Sequence, residues 1–79
     1  MMKSEIYEQV AAIVADILSV EPDKITPDAH LRNDLGADSL DLVELIMAFE
    51  DKFGGQISDE DARAIATIGD AVAYLEKKL

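Results

Sequence analysis

The stretch Ser39-Leu40-Asp41-Leu42-Val43-Glu44-Leu45-Ile46-Met47-Ala48-Phe49-Glu50-Asp51-Lys52-Phe53 decides the fold. Wound at about 100° per residue, it gathers Leu42, Leu45, Ile46, Phe49 and Phe53 within a single arc of about 100°. Such an arc is the buried stripe of a helix packed on one side, so a helix is predicted from Ser39 to Phe53. Leu40, Val43 and Met47 fall broadly opposite that stripe, interleaved with Glu44 and Asp51. A small monomer, the expected state here, has no folding reason to place three large apolar residues on its outer face. A ridge of this kind flanked by acids is predicted to be a partner surface. Met47 suits it, being flexible enough to fit grooves of different shape.

Immediately upstream, Asp34-Leu35-Gly36-Ala37-Asp38 leads into the helix. Asp38 reads as the N-cap, which puts Ser39 at the first helical position with its hydroxyl toward solvent. The free N–H groups and the positive end of the helix dipole favour an anion attached there, so the position suits a phosphate. An aspartate and a serine ahead of an apolar run also make an ordinary helix start, and these residues alone leave both readings open.

Downstream, Gly54-Gly55 ends the helix, because glycine readily takes the left-handed conformation. Ser58 with Asp61 resembles a capping box and opens a short third helix through Ala62 and Ile65. Thr67 with Asp70 repeats the pattern for a fourth helix, whose buried stripe is Ile68, Val72, Leu75 and Leu79. Lys77 and Lys78 complement its negative C-terminal end. Toward the N-terminus, Ser4 is predicted to cap a first helix with Ile6, Val10, Ile13, Val14, Ile17 and Leu18 at helical spacing. That helix should end near Ser19, ahead of the Glu21-Pro22 step, since a residue before proline is pushed out of the helical region. Residues 19–38 then form a long connection, pinned to the core by Ile25, Leu31 and Leu35 and stiffened by Pro22 and Pro27. The predicted fold is all-α: a four-helix bundle with a long first loop and a short third helix, in one domain spanning residues 1–79.

Composition narrows the functions open to such a domain. Cysteine is absent, so the chain has no disulfide and no thiol chemistry of its own. The net charge of −10 argues against nucleic acid or an anionic membrane surface as partner. No apolar run approaches the length of a membrane span, and the cytoplasm or an organelle interior is the expected location. The charge is concentrated: Asp34 to Asp61 holds nine carboxylates against Lys52 alone, while the other 51 residues carry a net of only −2. Surrounding one exposed serine, that density reads as a docking field for basic partners. His30 is the single histidine and lies nine residues before Ser39, a spacing that gives no sign of a catalytic triad. It is predicted to be a solvated loop residue. Asp59-Glu60-Asp61 and the group Asp38, Asp41 and Glu44 lack the arrangement of a calcium loop, so weak cation binding is expected there and no dedicated metal site.

The run Leu35-Gly36-Ala37-Asp38-Ser39-Leu40, followed one turn later by Val43-Glu44-Leu45, closely resembles an acyl carrier protein, and the resemblance extends over nearly the whole chain to the Tyr74 region. It implies that Ser39 carries a covalent 4′-phosphopantetheine arm, placed there by a phosphopantetheinyl transferase, and that the protein is a carrier and no enzyme. It implies delivery of acyl thioesters to the transacylase, condensing enzyme, reductases and dehydratase of dissociated (type II) fatty acid synthesis. Asp38, Asp41, Glu44 and Asp51 would steer basic rims of those enzymes, and Leu40, Val43, Met47 and Ile57 would supply the apolar contact. A carrier for polyketide, peptide or D-alanine transfer shares the serine and the fold, and a non-carrier acidic adaptor is the rival from another class. Three positions depart from the common family pattern. Gly54-Gly55-Gln56 stands where acidic or bulkier residues are frequent, Ser58 replaces a common proline, and Phe49 stands where leucine is frequent. A ring at Phe49 implies less space for a bound acyl chain.

Overall fold

A computed structural model of the chain describes residues 3–78. Four helices follow in order: α1 (Lys3–Leu18), α2 (Ser39–Phe53), α3 (Asp59–Ala64) and α4 (Ile68–Lys78). A single 3-10 turn, Pro22–Lys24, lies in the connection between the first two. No strand occurs among the described residues, where the one β-type contact is an isolated antiparallel bridge between His30 and Thr67. The predicted all-α architecture with a long first loop and a short third helix is the observed one.

α1 is the central element, packing against both α4 and α2. Ile6, Val10 and Val14, spaced four apart on one face, are wholly buried, while Ile13, Ile17 and Leu18 of the predicted stripe are half-buried beside them. Ser4 is already inside this helix and is not its cap residue. The helix stops for a reason closer than Pro22. Ser19 takes a φ of 55°, and the Val20 N–H donates to the Ala15 carbonyl at 3.2 Å, the closing bond of a Schellman turn. Glu21 is extended, as a residue before proline must be.

The long connection is tied down as the apolar residues within it predict. Ile25, Leu31 and Leu35 are buried, joined by Ala29 and Ala37. The Tyr7 hydroxyl donates to the Ile25 carbonyl at 3.2 Å. Farther along, the Leu31 N–H donates to Ala66 O, and the Ile68 and Gly69 N–H groups donate to Ala29 O and Pro27 O. These bonds lace the loop to the α3–α4 junction and satisfy backbone groups that burial would otherwise strand. Gly69 makes that crossing close, because a Cβ there would stand 3.0 Å from the Pro27 carbonyl oxygen and one of the two would have to give.

In α4, Ile68, Val72 and Leu75 are buried as predicted, with Ala71 added, while Leu79 lies outside the described residues. Its start is a reciprocal cap: the Asp70 N–H donates to Thr67 Oγ1, and the Thr67 N–H donates to Asp70 Oδ2, both at 3.1 Å. α3 has the Ser58 cap at 3.2 Å from the Asp61 N–H. It contains no buried residue, and Ile65 at its C-cap supplies a buried apolar side chain. α4 holds it through polar links as well. Tyr74 donates its hydroxyl to Asp61 at 2.8 Å, and Lys78 Nζ donates to Gln56 O at 2.9 Å while lying 5.6 Å from the Tyr74 ring centre. Partial desolvation, and then the Asp61 carboxylate, hold the Tyr74 phenol above its ordinary pKa.

The predicted core face of α2 divides in two. Leu45 and Phe49 are fully buried, whereas Leu42, Ile46 and Phe53 are half-buried. The reason is that α3 is short and leaves space beside α2, so one edge of the apolar arc meets the bundle and the other faces an opening.

Candidate functional site

The site begins in the turn before α2. Leu35 and Ala37 are buried, and between them Gly36 takes a φ of 77°, a conformation that side-chain-bearing residues rarely adopt. The Leu35 N–H donates to His30 O at 3.1 Å and the Ala37 N–H to Leu31 O at 2.9 Å. With two apolar side chains inserted on either side of that glycine, the chain emerges at Asp38 on the surface. Asp38 then caps the helix as predicted: its carboxylate accepts the Asp41 N–H at 2.8 Å. The Asp38 N–H in turn donates to the Asp41 carboxylate at 3.2 Å, which completes a capping box. Asp41 therefore has a structural task that the reading of it as a docking charge missed. The spacing Asp-x-x-Asp was the available signal.

Ser39 is the first residue of α2 and is exposed, free of any partner on its hydroxyl among the described hydrogen bonds. It stands on a rigid, doubly capped turn beside an open groove of about 840 Å³. The groove runs along α2 past Leu42, Ile46 and Phe49, with Ala62 and Ile65 from the α3 segment on its far side. His30, Arg32 and Arg63 give it a polar rim. His30 is half-buried and bonded, contrary to its reading as a solvated residue. Its Nδ1 accepts the Asn33 N–H at 3.3 Å, and its own N–H donates to the Asp34 carboxylate at 2.8 Å. These bonds give His30 a place in the loop, and no bond links it to Ser39.

The outer ridge is where periodicity placed it. Leu40, Val43 and Met47 are 66%, 54% and 61% exposed. Val43 and Met47 also line the groove, so the ridge forms its lip. Asp38, Glu44 and Asp51 are exposed around it, whereas Asp41 is half-buried. Ile57 is half-buried in the groove wall, away from the ridge, with its N–H donating to the Glu50 carboxylate at 2.8 Å. The resemblance implied space for an acyl chain, but the α3 side of the groove was not legible, since Ala62, Ile65 and Ala66 carry no periodic signal in so short a helix.

No group of metal-ligating residues occurs among the described residues, and the Asp38 and Asp41 carboxylates are occupied by backbone N–H groups.

Residues 8–75 match the family model described as the phosphopantetheine attachment site. The chain belongs to that family. A solved acyl carrier protein from Enterococcus faecalis, noted for its high thermal stability, is 38% identical over the full length of both chains and superposes with a TM-score of 0.84. The family is one of carriers, which take the arm covalently and present cargo to other proteins' active sites. An exposed hydroxyl on a capped turn, next to an apolar groove, fits a covalent arm of this kind. No described helix is long and apolar enough to cross a membrane.

Proposed function

We propose that the chain is a single acyl carrier domain over residues 1–79, serving dissociated fatty acid synthesis with Ser39 as the attachment residue. The observation that carries this reading is the exposed Ser39 at the first position of α2, at the mouth of the groove. When bound, 4′-phosphopantetheine supplies the terminal thiol that the cysteine-free chain lacks. The residues of the chain position it: Asp38 and Asp41 hold the turn rigid, and Leu35 and Ala37 anchor it from beneath. The apolar sides of the groove support a chain-like cargo over an amino acid, which ranks fatty acid synthesis above peptide or D-alanine transfer. A polyketide carrier is the second reading.

The partners follow from the same surface. A phosphopantetheinyl transferase loads Ser39, and the transacylase, condensing enzyme, reductases and dehydratase meet the protein as a monomer, in the cytoplasm or an organelle interior. Asp38, Glu44 and Asp51 steer their basic rims, which raises association rates, and Leu40, Val43 and Met47 bury a small apolar area, with Ile57 at the groove wall behind.

Intact-mass measurement after incubation with coenzyme A and a phosphopantetheinyl transferase tests the assignment. One phosphopantetheine is expected on the wild type and none on Ser39→Ala. An arm mapped to Ser19 or Ser58, or no gain at all, would overturn it.

A further inference from the structure

The chain is strongly acidic, yet its only two arginines, Arg32 and Arg63, both line the groove beside Ser39. They are 31 residues apart in sequence, and the fold brings them together. The Leu31 N–H donates to Ala66 O at 2.9 Å, next to the bridge between His30 and Thr67. Arg32 follows that seam directly on one side, and Arg63 precedes it by three residues on the other. The Gly36 N–H donates to the Arg32 carbonyl at 3.1 Å, so Arg32 belongs to the tight turn that presents Ser39.

A guanidinium on an acidic protein ordinarily takes up a carboxylate of the same chain. Here both arginines are exposed, and the neighbouring acids have other partners. Asp34 accepts the His30 N–H at 2.8 Å, and Asp38 and Asp41 accept each other's N–H groups. Glu50 accepts the Ile57 N–H and Asp61 the Tyr74 hydroxyl, both at 2.8 Å. Asp59 and Glu60 stand four and three residues before Arg63 on the exposed α3, where ion pairs contribute little. Neither arginine side chain takes part in the bonds that tie the loop and α3 down. Two positive charges are thus set beside Ser39 with no structural task.

We propose that Arg32 and Arg63 hold the phosphodiester that joins the arm to Ser39, and so direct the arm to the groove side of the serine. The inference rests on the carrier reading, which places one phosphodiester anion on the Ser39 oxygen. That anion meets an asymmetric field. Asp38 and Glu44 lie exposed on the outer side and repel it, whereas the two guanidinium groups on the groove side attract it. A phosphodiester has two unesterified oxygens, and the planar fork of an arginine matches such oxygens better than a lysine does. Both arginines act here as positioning residues, and the arm bonded to Ser39 needs neither of them to stay attached.

The test is nuclear magnetic resonance of the full chain with and without the unacylated arm, for wild type, Arg32→Gln, Arg63→Gln, the double variant and Lys52→Gln. With two arginines in the chain, two Nε–H signals are expected, and the single variants assign them. Both are expected to move downfield when the arm is attached. The phosphorus signal of the arm is expected to shift in each arginine variant and further in the double variant. Lys52→Gln removes the same charge from an exposed position on the last turn of α2, outside the groove lining, and should leave the phosphorus signal in place. Nε–H signals that do not respond to the arm would overturn the proposal. So would a phosphorus signal unchanged in the double variant, or one moved equally by Lys52→Gln. Intact mass separates the two levels. Failure to load Ser39 strikes the carrier reading, whereas a fully loaded protein with unmoved signals strikes the arginine contact alone.

Discussion

Asp70 is held in a way that ties stability to pH. Its carboxylate accepts the Ala66 N–H and the Thr67 N–H, each at 3.1 Å, and these bonds, Ala66 first, hold its pKa below the ordinary 3.8. A group whose folded pKa is depressed stabilises the fold above its unfolded pKa, and that contribution disappears as pH falls through the folded value. Asp70→Asn is therefore expected to lower the thermal midpoint at neutral pH and to flatten its decline in the acid range below about pH 4. Parallel melts of both proteins across that range check this. Asp38 is the other informative residue. Replacing it with alanine removes the N-cap and one half of the capping box, and should cost about 1 kcal/mol in denaturant titrations. Both caps were legible as residue spacings, because a capping bond is local and needs no knowledge of the fold. His30 was not legible. Its partners Asn33 and Asp34 are near in sequence, but the bridge that sets it beside Thr67 joins residues far apart in the chain.

α2 shows how one helix serves three surroundings. Leu45 and Phe49 are buried between the bundle and the groove, Leu42 and Ile46 are half-buried along the groove, and Leu40, Val43 and Met47 are exposed on the outer face. Alanine at Leu45 should cost roughly 2–5 kcal/mol, since a buried side chain is lost and a cavity remains. Met47→Ala should change stability by no more than about 0.5 kcal/mol, and should speed dissociation from a condensing enzyme because apolar contact area is removed. Glu44→Lys is expected to leave the melt nearly unchanged while slowing association with a basic partner at low salt. Chemical denaturation alongside stopped-flow binding distinguishes the three. Unfolding of Glu44→Lys would refute the outward face. Periodicity identified the outer ridge correctly, because exposure opposite a core stripe follows from helix geometry alone. It could not split the inner arc, since the boundary between core and groove depends on where α3 stops.

Across the whole molecule the dominant long-range term is charge. Eight of the ten net negative charges fall between Asp34 and Asp61, around α2 and the start of α3. Like charges at this density repel in the folded state more than in an expanded chain, and salt screens them. The melting temperature is expected to rise on addition of moderate salt or millimolar-range Mg²⁺, and a flat or falling value across the titration would refute this. The repelling segment is held by α1, which packs against α2 and α4, and by the loop laced to the α3–α4 junction.

The amino-acid order alone determined four helices, the caps of the last three, the apolar anchors of the long loop, the exposed Ser39 and the outer ridge. Each depends on interactions within a few residues, or on a repeat that matches the helix period. Tertiary structure decided the rest. It placed Gly69 against the Pro27 carbonyl and left a groove between α2 and the short α3. It also set the buried Phe49 in the lining of that groove, with the Ile57 N–H donating to the Glu50 carboxylate beside it. A groove is space that packing leaves unfilled, so its depth depends on how all the elements sit together and not on any single stretch of chain.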